Sequence, residues 1–265
     1  MKLLRVLLPL LLVTFCLVAC SDDDDDNTPT SNVTTAPMAT VPDTTIVIPT
    51  DLSTFTQTTV AYDGADQVAY SLAQFIPNMN AITGVEDDYD ARTLYAFNIA
   101  SDSRGFSPRD KGYVDLTWDQ LTSGYYLPQV SGGRTYFPSD EIPTAFDVKN
   151  APRIEMYRRV DIIKDATSTL IELDALATAS LSYVDSHGDS LTVDACNLGT
   201  ILSDYISGTT DSLTFTPIDN YSYSTDWSQA QKSYLIPATG KAVVLDADNH
   251  QVKSIKYLKS INLYN

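Results

Sequence analysis

The only two tryptophans in this 265-residue chain open the same pattern. WDQLTSGYYLP runs from Trp118 to Pro128, and WSQAQKSYLIP runs from Trp227 to Pro237. Trp118, Gln120, Tyr125 and Pro128 recur without a gap as Trp227, Gln229, Tyr234 and Pro237. Ungapped recurrence of this kind marks an internal duplication. A duplicated chain has to fold as two similar units, so its elements are expected in two matching sets. Units of roughly 100 residues each fall within the ordinary domain range.

The rest of the chain reads in that light. Residues 51–164 form the first expected unit. Phe55 to Tyr62 has the Thr, Val and Tyr content of a strand and ends at a turn, Asp63-Gly64. Ala69 to Ile76 suits a short helix closed by Pro77, and Thr93 to Ile99 alternates as a strand. The Trp118 motif follows, then a closing strand around Ile154 to Ile163. Residues 165–265 repeat the plan. Ala179 to Val184 and Ser190 to Val193 flank the turn Asp185 to Gly188, and Leu198 to Ile206 has helical spacing with Gly208 as its stop. Strands are expected at Leu213 to Ile218, Lys241 to Leu245 and Ile255 to Leu263. Outside the motif, Gly133-Arg134 matches Gly240-Lys241, Val148-Lys149 matches Val252-Lys253, and Val160 and Ile162 match Ile261 and Leu263. The first copy has longer loops, above all Phe137 to Asp147. The expected fold is α+β, two tandem homologous β-rich domains.

The amino terminus carries a different message. Lys2 and Arg5 precede an apolar run too short to span a bilayer, which reads as a cleaved signal peptide, residues 1–19. Leu17-Val18-Ala19-Cys20 resembles the lipobox of bacterial lipoproteins. The resemblance implies lipidation of Cys20 with diacylglycerol and a further acyl chain such as palmitate, and hence a membrane partner through the anchor. The run Asp22 to Asp26 just behind it resembles the surface-export signal of lipoproteins in the Bacteroidota. The resemblance implies an outer-membrane location, with exposure at the cell surface as the expectation. Residues 20–50 are an acidic and Thr/Pro-rich tether, with Ile46-Val47-Ile48 able to pair as a first strand.

Net charge is −17, and loss of Lys2 and Arg5 with the leader makes the mature protein more acidic still. Such a balance repels nucleic acid and anionic headgroups, which excludes nucleic acid as a partner. Of the three cysteines, Cys16 leaves with the leader and Cys20 takes lipid, so Cys196 has no partner for a disulfide.

The second half is similar to a known domain. Leu198 to Ile206, Asp219 to Trp227, Tyr234 to Pro237 and Val252 to Leu263 follow the order of the molybdopterin-binding domain of the sulfite oxidase family. The resemblance implies that fold for both repeats. In that family a Cys thiolate upstream of the helix binds molybdenum. Here Ser180 to Asp189 has no Cys, and Cys196 immediately precedes the helix. The resemblance therefore implies a related fold without the cofactor.

No complete catalytic constellation is visible. His187 and His250 both fall in turns rich in Asp, Gly and Asn. Asp246 and Asp248, and Asp87 and Asp88, are candidate metal ligands, since calcium takes hard oxygens. Tyr257 stands where a calcium loop needs its bidentate Glu, so the first pair also reads as a hairpin turn. Tyr126 and Tyr223 are candidate ligand-binding aromatics. The functional expectation is a lipid-anchored, non-catalytic binding module with a protein or glycan partner. The alternatives are a molybdopterin-dependent oxidoreductase-like enzyme and a glycan-binding surface lipoprotein. The loop after Phe137, where the copies differ most, is where a ligand is to be sought.

Overall fold

The computed structural model describes residues 34–35, 43–101, 105–150, 152–205 and 210–265. Cys16, the lipobox with Cys20, the run Asp22 to Asp26, Ile206 and Gly208 lie outside the described residues. In chain order the first strands are β1 (Thr34–Thr35), β2 (Thr44–Val47), β3 (Gln57–Tyr62), β4 (Ala65–Ser71), β5 (Tyr95–Ser101), β6 (Tyr125–Leu127), β7 (Arg134–Tyr136) and β8 (Pro152–Lys164). They are followed by β9 (Thr167–Glu172), β10 (Ala179–Val184), β11 (Ser190–Asn197), β12 (Ser212–Pro217) and β13 (Tyr223–Asp226). The last are β14 (Ser233–Ile236), β15 (Lys241–Leu245), β16 (Gln251–Ile255) and β17 (Leu258–Tyr264). The helices are short: α1 (Asn80–Thr83), α2 (Trp118–Thr122), α3 (Leu198–Tyr205) and α4 (Trp227–Ala230).

The two halves run through corresponding pairings. β3 pairs β4, β4 pairs β6 and β6 pairs β7 in one sheet. β10, β11, β14 and β15 pair in the same order in another, extended by β16. A single bridge between Arg134 and Lys149 occupies the place that β16 takes in the second half. β5 pairs β8 antiparallel, as β12 pairs β17.

The repeated Trp motif forms the same local structure twice: a capped helical turn leading into a strand. Thr117 Oγ1 accepts from the Gln120 amide at 3.2 Å and Gln120 Oε1 accepts from the Thr117 amide at 2.8 Å, a reciprocal capping box. In the second copy Asp226 caps by accepting from the Gln229 amide at 2.8 Å. The Gln229 side chain is then released for another use and donates to the Leu245 carbonyl on β15. Trp118 is buried against Phe97 with Arg92 above its ring at 4.2 Å. Trp227 is only partly buried on the second core.

β8 joins the halves. Its first part lies between β2 and β5, and its second part between β9 and β17. Its even positions Ile154 and Met156 enter the first core, while Val160 and Ile162 enter the second. One strand therefore contributes to both cores.

Two expectations are corrected. Ala69 to Ile76 is not a helix: β4 runs on to Ser71, and a single 3-10 turn covers Leu72–Phe75. Tyr70 has backbone partners on both sides, Gln57 and Tyr126, and a filled ladder outweighs the local helical spacing. The folded region also begins earlier than Asp51. Thr44–Val47 pairs with Arg153 to Met156, and Ile48 is buried.

Candidate functional site

The odd positions of β8 read Arg153, Glu155, Tyr157, Arg159 and Asp161. With a side-chain period of two they share one face, opposite the apolar one. A half-buried strand normally gives such a face to water, yet Glu155, Tyr157 and Arg159 are buried. The segment 105–116 closes over part of it. Asn98 on β5 donates to Ser107 Oγ and to Glu155 Oε2, both at 2.8 Å. Arg153 donates to Glu155 Oε1 at 2.7 Å, and the Tyr157 hydroxyl donates to Oε2 at 3.2 Å. The Arg109 guanidinium lies 3.5 Å above the Tyr157 ring. It is paired with Asp115 at 3.0 Å and in direct contact with Glu172 on β9.

Farther along the same face the cover lifts off and leaves a cavity of about 830 Å3. Its floor is Arg159 and Asp161 of β8 with Ser168 and Leu170 of β9, a register fixed by the pairs Arg159–Glu172 and Asp161–Leu170. One wall is Asp115 to Thr117 with Gln120, the start of the Trp118 motif. The other is the loop from Tyr136 to Asp147. Phe137 and Phe146 hold that loop, edge to face at 6.4 Å. Asp147 anchors its far end by accepting from the Phe137 amide at 3.0 Å, and Arg134 reaches Asp147 at 3.4 Å.

Burial dominates the carboxylates here. It pushes Asp115 up to about 6 against the pull of Arg109, and Asp147 up to about 6 against the Phe137 amide and Arg134. Asp161 is also raised by burial, although Arg159 donates to it at 2.7 Å.

The candidates named from sequence lie elsewhere. Asp246 Oδ1 accepts from the amides of Asp248 at 2.9 Å and His250 at 2.8 Å, so its carboxylate organises a hairpin turn. Asp185 makes the matching turn with His187 and Asp189. Asp87 and Asp88 are exposed on a loop held by Asn80, whose side chain bonds the carbonyls of Glu86 and Tyr89. Among the described residues no group of three or more His, Cys, Asp or Glu side chains could hold a metal ion. Tyr126 is half-buried against Phe75. Tyr223 stacks on Phe215 and, with the exposed Tyr221, lies near the Lys253 ammonium.

Cys196 does not fit a molybdenum-binding thiolate. Its side chain is buried in the second core, donates to the Ala177 carbonyl at 3.0 Å, and is pushed up by burial. No protein-family model matches the chain, and no curated protein matches it.

Asp115, Asp147, Arg159 and Asp161 come from three separate segments, which is why no motif announced them. One signal was present. The alternation of charged and aromatic residues at every second position from Arg153 to Asp161 marks a polar strand face of unusual charge density.

Proposed function

We propose that this protein is a lipid-anchored protein of the outer membrane, facing the cell surface, whose folded part is a non-catalytic binding module. The reading joins two supports. The lipobox ending at Cys20 and the acidic run behind it support the anchor and its location. The cavity between the 136–147 loop and the polar face of β8 supports binding, and it carries the proposal. A concave space of this size, lined by aromatic and aliphatic side chains together with as many polar and charged ones, has room for a small molecule. It forms where the first repeat has grown a loop that the second lacks, as expected if one of two sibling domains acquired the ligand.

The finer fold assignment belongs to the same proposal. The two halves are duplicated units related to the molybdopterin-binding domain of the sulfite oxidase family, without its metal chemistry. The matching strand pairings of the halves support duplication, and the buried Cys196 argues against the cofactor. Glycan binding is kept as a second reading because Tyr221 is 76% exposed beside Tyr223, a platform on which a sugar face can stack.

The test of binding is a ligand-observed NMR screen of neutral, anionic and cationic small molecules, run with the native protein and a Thr144→Trp variant. Thr144 is an exposed residue of the cavity wall, so the indole fills the space without touching the core. Hits that disappear in the variant support the module. No hits, or hits indifferent to the plug, refute it. For the anchor, Cys20→Ala should move the protein into the soluble fraction, and unchanged membrane association would sink that part.

A further inference from the structure

The last strands of two sheets meet on the second half. β13 ends the eight-stranded sheet and β16 ends the five-stranded one. Lys253 of β16 spans the seam, its ammonium 5.7 Å from the Tyr221 ring and 5.9 Å from the Tyr223 ring. Tyr223 is set in place by stacking on the buried Phe215, while Tyr221 stands out in solvent. Among the described residues no carboxylate forms an ion pair with Lys253. The acids that flank the two tyrosines in the chain are engaged locally. Asp219 accepts from the Tyr221 amide at 2.9 Å, and Asp226 accepts from the Gln229 amide at 2.8 Å. The seam therefore joins an exposed aromatic face to an ammonium that has no counter-ion. Tyr221, Tyr223 and Lys253 take no part in lining the cavity, so this is a separate place on the molecule.

We infer that the seam binds a carboxylated sugar, its ring lying on Tyr221 and its carboxylate meeting Lys253. The inference rests on the glycan reading of the same tyrosines and names the class of sugar. A neutral sugar would use the rings and leave the ammonium idle. An acidic peptide would use the ammonium and leave the sugar-stacking face idle. A carboxylated sugar uses both, the C–H face of its ring against the aromatic and its carboxylate accepting from the three ammonium donors. The net charge of −17 opposes any anion at a distance. Screening limits that opposition, because the Debye length is about 8 Å at physiological salt. The final contact is then governed by the groups at the seam, where the local cation is Lys253.

The test is isothermal titration of the full mature chain with oligosaccharides of galacturonate, mannuronate and sialic acid, each beside its methyl ester. Polyglutamate serves as an anion without sugar rings. At least one acidic oligosaccharide should bind, and its ester should bind about fivefold more weakly, the scale of one exposed ion pair. Lys253→Gln should erase that difference. Tyr221→Ala should weaken acid and ester alike, by about fivefold or more. Urea midpoints of both variants are measured alongside, so that a folding defect is not read as lost binding. The plug Thr144→Trp should leave sugar binding intact, and loss of binding in that variant overturns the inference by moving the sugar to the cavity. Equal binding of acid and ester, weakened by Tyr221→Ala, overturns it while leaving the glycan reading standing. Polyglutamate binding as tightly as the sugars, or sugar binding that ignores both seam substitutions, overturns it as well. If no oligosaccharide binds, the inference and the glycan reading fall together.

Discussion

Arg109 has to compensate two carboxylates, Asp115 and Glu172, while lying on the ring of Tyr157. Removing it takes a direct guanidinium contact from two buried acids. Arg109→Ala should therefore cost about 3–5 kcal/mol in urea denaturation. Replacing all three charged residues by apolar ones of similar volume should cost far less, because the desolvation penalty disappears with the charges. A second residue-scale contrast comes from the two copies. Gly124 faces Phe137, and a Cβ there would lie 2.3 Å from the Phe137 ring and 2.7 Å from Leu72. The corresponding pair in the second copy is Ser233 and Val244, directly opposite in register. The large ring that starts the long loop thus requires the missing side chain across the strand. Gly124→Ala should cost about 1–3 kcal/mol through overpacking, and adding Phe137→Val should restore most of it. Acidity acts at this scale too. Folded values of about 6 for Asp115 and Asp147 and about 7 for Asp43 exceed the ordinary 3.8, so the folded state holds these protons more tightly. Stability from these groups is then present at low pH and lost as pH rises from about 4 through 6 to 7. Asp90, lowered by Arg92, acts oppositely and loses its contribution as pH falls below about 4. The urea midpoint should be higher at pH 5 than at pH 7.5.

Among the elements, α2 and α4 are too short to persist alone and depend on their caps. Thr117→Ala should cost about 1 kcal/mol in urea denaturation, within the usual range for a lost cap, and Asp226→Ala should lower the urea midpoint as well. The Asp226 effect should fade in acid, because its carboxyl is held below its ordinary value by the Ser228 hydroxyl and the Gln229 amide. Much at this scale was legible in the chain itself. The hairpin strand Ala179–Val184, the strand Lys241–Leu245 and the turn at Asp63-Gly64 follow directly from residue type. Asp63 and Gly64 both take positive φ, as a tight hairpin turn requires. The stretch from Ala69 to Ile76 reads as a helix because Ala, Leu and Gln suit one locally, while the β6 partners of Tyr70 and Ser71 lie far away in sequence. Of the cavity, the wall from Phe137 to Asp147 was legible as the largest difference between the copies, but the floor was illegible for a related reason. Arg159 and Asp161 look like the solvent face of a strand until 105–116 and 136–147 fold over it, and nothing within β8 encodes that cover. Cys196 was legible as a small buried side chain, since an isolated thiol in a core strand packs as a hydrophobe.

At the scale of the whole molecule the halves are tied by more than adjacency. Arg158 on β8 donates to the Ala238 carbonyl at 2.6 Å, the Tyr257 hydroxyl donates to the Gly84 carbonyl at 2.6 Å, and Arg109 contacts Glu172 across the divide. Ile218 of the second half is counted in the first core. Unfolding should accordingly be one cooperative event. Each half holds one tryptophan, so Trp118→Phe and Trp227→Phe leave proteins whose fluorescence reports a single half. In each variant the fluorescence and far-UV circular dichroism transitions in urea should coincide. Separation of the midpoints by more than about 0.5 M would mean that the halves unfold independently.

The shared strand also governs when the cavity can exist during chain synthesis. Residues 161–164 of β8 wait for residues 260–263 of β17 to complete their ladder. A nascent chain that has not yet made β17 carries an open strand edge beside Asp161, exposed to wrong pairing with other chains. The wall of the cavity is made early, from 115–147, and its floor is secured late. Ligand capture would then signal that nearly the whole chain has been made and folded, and a truncated chain would be blind to the ligand even with every wall residue present.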